Sequence, residues 1–89
     1  MPRISNFYGI TIWMYYDEIL HLGRPHFHAR YGDTEASVDI ESLVFLAGDL
    51  PPRARRLVTE WGAARKAELL RNWARARHHQ PLEFIEPLR

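Results

Sequence analysis

Arg24-Pro25-His26-Phe27-His28-Ala29-Arg30-Tyr31-Gly32-Asp33-Thr34-Glu35-Ala36-Ser37-Val38-Asp39-Ile40 alternates apolar and polar residues on both sides of Gly32-Asp33. A Gly-Asp pair between two such runs is a two-residue hairpin signal. With that turn, Tyr31 faces Thr34, Arg30 faces Glu35, Ala29 faces Ala36, His28 faces Ser37, Phe27 faces Val38 and His26 faces Asp39. Side chains alternate between the two faces of a strand, so the register sorts the ribbon. Phe27, Ala29, Ala36 and Val38 share a face expected to be dry. His26, His28, Arg30, Glu35, Ser37 and Asp39 share the other, expected to lie open. The opposed pairs Arg30–Glu35 and His26–Asp39 are complementary, and such pairs contribute about 0.2–1 kcal/mol each.

Working outward, Ile4 to Asp17 reads as one extended strand. Ile10, Ile12, Met14 and Tyr16 alternate with Thr11, Trp13, Tyr15 and Asp17, and large side chains on both faces imply cover on both. Gly9 suggests a bulge or a close backbone approach. Trp13 and Tyr15 suit core or partner contact better than base stacking. Glu18 to Arg24 is a connection, and Pro25 holds Arg24 extended, so a strand starts at about His26. Beyond Ile40, Glu41-Ser42 reads as a turn and Leu43 to Ala47 as a further strand, ended by Gly48-Asp49. Short connections favour an antiparallel meander.

Asp49 is the expected N-cap of a helix with proline in its first turn. Ala54, Leu57, Val58 and Trp61 form one apolar stripe, and Leu69, Leu70, Trp73 and Ala76 another. At about 100° per residue the stripes are rotated by roughly 100° from each other. One straight helix cannot bury both, which predicts a break near Gly62-Ala63-Ala64 and two helices. Pro81 closes the second, with His78 and His79 at its end, and the apolar tail Leu82, Phe84, Ile85 and Leu88 is expected to dock as an edge strand. The expected fold is α+β: an antiparallel three- to four-stranded meander, two helices packed on one sheet face, and a short C-terminal extended segment, all in a single domain over residues 1–89.

The chain has 89 residues, 46% hydrophobic and 26% charged, with no cysteine. Disulfide scaffolds and thiolate metal sites are excluded. No apolar run approaches the roughly 20 residues of a membrane span, and no secretory h-region is present at the start, so a cytoplasmic protein is expected. Net charge is +1, but it is unevenly distributed. Basic residues gather in the helical half, where Arg53, Arg56, Arg65, Lys66, Arg71 and Arg75 are candidates for nucleic-acid or partner binding.

The constellation suited to chemistry is His26, His28, Arg30 and Asp39. Histidine exchanges a proton near neutral pH, Asp39 could fix an imidazole tautomer, and Arg30 could stabilise a negative transition state. That set, needing no cofactor, suits phosphodiester cleavage of RNA. The same histidines, two apart on one face, could instead chelate zinc, nickel or iron with Asp39 as third ligand, or serve only structurally. Walker, dinucleotide-binding, serine-hydrolase and His-Glu-x-x-His motifs are missing.

Ile4-Ser5-x-Phe7-Tyr8-Gly9-Ile10, Pro25-His26-Phe27-His28-Ala29-x-Tyr31-Gly32, Gly48-Asp49-Leu50-Pro51, Glu60-Trp61, Leu69-Leu70-x-Asn72-Trp73 and Ile85-Glu86-Pro87-Leu88 together resemble domain-of-unknown-function family 4160. The apolar connection Ile19 to Arg24 departs from the shorter Asn- and Pro-rich link usual there. Members are often encoded beside a second small protein, commonly of family 2442, an arrangement that resembles a type II toxin–antitoxin pair. The resemblance therefore implies a toxin-like bacterial protein with a cognate antitoxin-like partner. It carries over no catalytic residues. RNA is the target the hairpin chemistry suggests. The alternatives are a non-enzymatic DNA-binding regulator using the basic helices and a small metal-binding protein.

Overall fold

The computed structural model describes residues 3–16 and 23–89. All six cross-strand pairs expected for the central hairpin are present, from His26 opposite Asp39 to Tyr31 opposite Thr34. They join β3 (His26–Tyr31) to β4 (Thr34–Asp39). Gly32, at the first central position of the turn, has φ +59°. A positive φ there suits a type II′ turn, whose twist matches that of the strands it connects.

The segment expected to be one strand is itself a hairpin. β1 (Arg3–Phe7) pairs with β2 (Ile10–Trp13), with Phe7 opposite Ile10. Tyr8 and Gly9 form the turn, at φ 50° and 80°. Two left-handed residues in succession make a type I′ turn, so Gly9 is a turn residue. The one irregularity in this pairing lies between Arg3 and Ser5. Tyrosine is a poor turn signal because a bulky residue rarely takes positive φ, which hid the reversal. With β5 (Phe45–Gly48) the sheet has five strands in the order β1-β2-β3-β4-β5, a pure meander and longer than the three to four expected.

Helix α1 (Pro52–Ala64) starts after Pro51, without a side-chain cap. Asp49, the expected cap, accepts instead from the Leu50 N–H at 2.8 Å and from Arg55 Nη1 at 2.6 Å. Helix α2 (Lys66–Arg77) follows at once. The break falls on Arg65, at φ −117° and ψ 22°, one residue beyond the predicted window. The break lets both stripes reach one core. Trp61 packs between Phe7 and Phe27, at 5.3 and 5.7 Å between ring centroids. Leu69 and Trp73 join the same cluster as Ile4, Ile12, Met14, Val38 and Val58. Burying each large aliphatic or aromatic side chain contributes about 1.5–3 kcal/mol.

The tail docks but forms no strand. The Ile85 N–H donates to the Ile4 carbonyl at 2.7 Å, and the Ser5 hydroxyl donates to the Ile85 carbonyl at 2.9 Å. Trp61 Nε1 donates to the Glu86 carbonyl at 2.9 Å. Asn72 holds Glu83 by two bonds, from its Nδ2 to the carbonyl (2.8 Å) and from the backbone N–H to its Oδ1 (2.9 Å). Proline on both sides of the segment restricts it to local contacts of this kind. Most of the connection Glu18 to Arg24, including His21, lies outside the described residues. No helix among the described residues is long and apolar enough to cross a membrane.

Candidate functional site

Alternation places Thr11 and Trp13 of β2, His26, His28 and Arg30 of β3, and Glu35, Ser37 and Asp39 of β4 on the sheet face away from Phe27 and Val38. That face was expected to be open along its length. Only its Arg30 end is. His26 and His28 are 1% and 5% exposed, and Ser37 and Asp39 are also buried. For His28 the reason is β2, which sets Trp13 directly beside it. The two rings stack at 5.3 Å and 19°, Tyr15 meets His28 edge-on at 5.0 Å, and Trp73 leans on His26 at 5.1 Å.

The buried polar groups are bonded. His26 Nδ1 lies 2.7 Å from the Arg24 carbonyl oxygen. A carbonyl only accepts, so Nδ1 carries a proton and donates. His28 Nδ1 is 3.3 Å from Ser37 Oγ, and the two imidazoles lie 5.2 Å apart, edge to face. Asp39 stands opposite His26 as expected, but its described bonds run elsewhere. Oδ1 accepts the N–H groups of Glu41 (2.7 Å) and Ser42 (3.1 Å), and Oδ2 pairs with Arg24. Burial pushes this carboxyl up; the N–H bonds from Ser42 and Glu41 and the Arg24 guanidinium outweigh it and hold the group below the usual carboxylate value. Asp39 therefore closes the turn after β4 and anchors the entry to β3. Arg24 was missed in the sequence, although Pro25 keeps it extended two residues before His26, within reach of Asp39. No cluster of three or more His, Asp or Glu that could hold a metal occurs among the described residues.

Arg30 lies at the open end, with Arg3, Thr11, Trp13 and Phe84, around a groove of about 410 Å³. Its guanidinium sits 5.9 Å from the Trp13 ring centroid and 3.7 Å from Glu35. Both Arg30 and Glu35 are about half exposed, and such pairs are worth little in water. Arg3 makes no ion pair among the described residues, and Phe84 is 64% exposed. Trp13 Nε1 is buried without a hydrogen-bond partner among the described residues. The groove is thus walled by two guanidiniums, a hydroxyl and an accessible aromatic ring. Arg3, Thr11 and Phe84 were not singled out in the sequence. Arg3 could not be placed until β1 folded back to set it opposite Trp13, and Phe84 arrives from a segment without periodicity.

Four of the six basic helical candidates already have partners. Arg65 pairs with Glu68 (3.3 Å), and Arg71 and Arg75 both face Glu83 (4.0 and 3.6 Å). Lys66 donates to the Glu41 carbonyl at 2.7 Å. Arg53 and Arg56 remain exposed and make no ion pair among the described residues.

Comparison with known proteins adds one finding. A family model described as Domain of unknown function (DUF4160) matches residues 9–74, which span β2 to most of α2. Neither a curated protein nor a solved structure matches.

Proposed function

We propose, since the chain belongs to the DUF4160 family, that it is the toxin-like component of a bacterial two-gene module. It acts in the cytoplasm by engaging single-stranded RNA in the Arg3–Arg30 groove and is held in check by a cognate antitoxin-like small protein. The observation that carries the RNA part is the pairing of two exposed guanidiniums with the accessible Phe84 ring around one cavity. Proteins that hold single strands combine cationic side chains along the backbone with an aromatic ring on which a base stacks. Arg3 and Arg30 suit successive phosphates, Thr11 a sugar or phosphate oxygen, and Phe84 a base. The two-gene part draws on the family resemblance.

Cleavage by His26 and His28 would need the aromatic cover to part first, because Trp13 and Tyr15 lie on His28 and Trp73 lies on His26. RNA engagement at the groove needs no such movement and is the reading the geometry favours. The regulator alternative fares less well: of its six basic side chains, Arg65, Lys66, Arg71 and Arg75 already have acidic or carbonyl partners.

Inducible expression in a bacterial host tests the proposal. Growth arrest is expected from the wild-type chain and not from Arg3→Glu/Arg30→Glu at equal abundance. Harmless expression of the wild type without any partner gene contradicts it.

A further inference from the structure

A second surface lies on the other side of the sheet, where Tyr8, Tyr31, Pro51, Arg53, Ala54 and Leu57 line a cleft of about 60 Å³. Tyr31 shares its face with Ala29 and Phe27, so this cleft opens away from the Arg3–Arg30 groove. We propose that it docks an acidic linear segment of a second protein, anchored by one proline or aliphatic side chain.

Three observations carry this. Tyr8 occupies a left-handed turn position, φ 50°, with half of its surface exposed. Glycine would take that conformation without strain, so a bulky aromatic held there is costly to the fold and buries little in return. Exposed tyrosine beside arginine is the composition that protein interfaces enrich. The charge is also one-sided. Arg53 and Arg56 have no ion-pair partner among the described residues, and the first turn of α1 contains no acidic residue. In contrast, Arg55, Arg65, Arg71 and Arg75 on the same helices are each paired to a carboxylate. Finally, the cleft is small. Its volume of about 60 Å³ suits a proline ring or a short aliphatic group better than a nucleobase. Aromatic-lined clefts recognise extended proline-containing segments in this way.

The source of the segment rests on the reading of the chain as one of a protein pair; the cleft itself does not. Selection of random dodecapeptides displayed on phage against the immobilised full chain tests it. The expected peptides carry net negative charge with a proline, leucine or valine. They should bind at least tenfold more weakly to Tyr8→Gly, which relieves the turn, and to Arg53→Glu, and with unchanged affinity to Arg3→Glu/Arg30→Glu. No enrichment, enrichment without acidic excess, or equal binding to Tyr8→Gly and Arg53→Glu overturns the inference. So does self-association of the chain abolished by Arg53→Glu, which makes a second copy the occupant. None of these outcomes reads on growth arrest, so the two proposals fail separately.

Discussion

The Arg24 guanidinium closes on the Asp39 carboxylate across the start of the β3–β4 ladder, while the other carboxylate oxygen accepts two backbone N–H groups of the following turn. Arg24 is half exposed and Asp39 is not, so the N–H bonds on the buried oxygen dominate. Removing them strands two donors, each worth about 1–3 kcal/mol when left unpaired. Asp39→Ala should lower unfolding stability by about 2–4 kcal/mol, and Arg24→Ala by about 1 kcal/mol or less, in denaturant titrations.

The same site sets an acid sensitivity. Asp39 titrates below its ordinary value of 3.8 in the folded chain. Its contribution is therefore fully present above that value and is lost as pH falls through the lower folded value. Stability should fall as pH drops below about 4, and Asp39→Asn should flatten that part of the profile. An unchanged acid limb in Asp39→Asn would show that other carboxylates carry it.

Two glycines should respond differently to alanine. A Cβ on Gly48 would lie 2.1 Å from the Glu35 carbonyl oxygen, and its φ is +69°. Backbone cannot yield there, and Gly48→Ala should cost several kcal/mol or prevent folding. At Gly62 the near atom, at 2.7 Å, is a Leu43 methyl, which can rotate away. Gly62→Ala should cost about 1–3 kcal/mol. Thermal melts of the two variants test this order.

Asn72 joins α2 to the tail through both of its amide atoms. Asn72→Ala should cost about 1–3 kcal/mol and expose the segment after Pro81 to limited proteolysis, with the sheet still protected. Equal resistance of the tail in both proteins would contradict this docking.

Burial of the histidines is testable in solution. His78 and His79 are exposed, while His26 and His28 lie under Trp13, Tyr15 and Trp73. Diethyl pyrocarbonate should label His78 and His79 first by mass spectrometry. Comparable labelling of His28 would mean that the aromatic cover opens, and would restore the histidines as proton-transfer groups.

The hairpin was legible because period-two alternation and a two-residue turn leave one register that keeps Phe27 and Val38 together, and the two helical stripes required a break. Other features depended on partners that local pattern does not carry. Tyr8 in a left-handed conformation disguised the first turn. The polar face looked open because alternation shows which side a residue faces and not what lies over it; Trp13 covers His28 only through the β2–β3 pairing. The groove joins Arg3, Arg30 and Phe84, from opposite ends and the middle of the chain, so no spacing announces it.

The most direct test is fluorescence anisotropy of a labelled single-stranded 12-nucleotide RNA titrated with the purified chain at several salt concentrations. Engagement of RNA in the groove predicts saturable binding whose log affinity falls with log salt by about 0.7 per phosphate neutralised. Binding at least tenfold weaker with a shallower slope is expected for Arg3→Glu/Arg30→Glu, and weaker binding with the same slope for Phe84→Ala. Binding that is absent at low salt, or indifferent to all three positions, would contradict an RNA site in the groove.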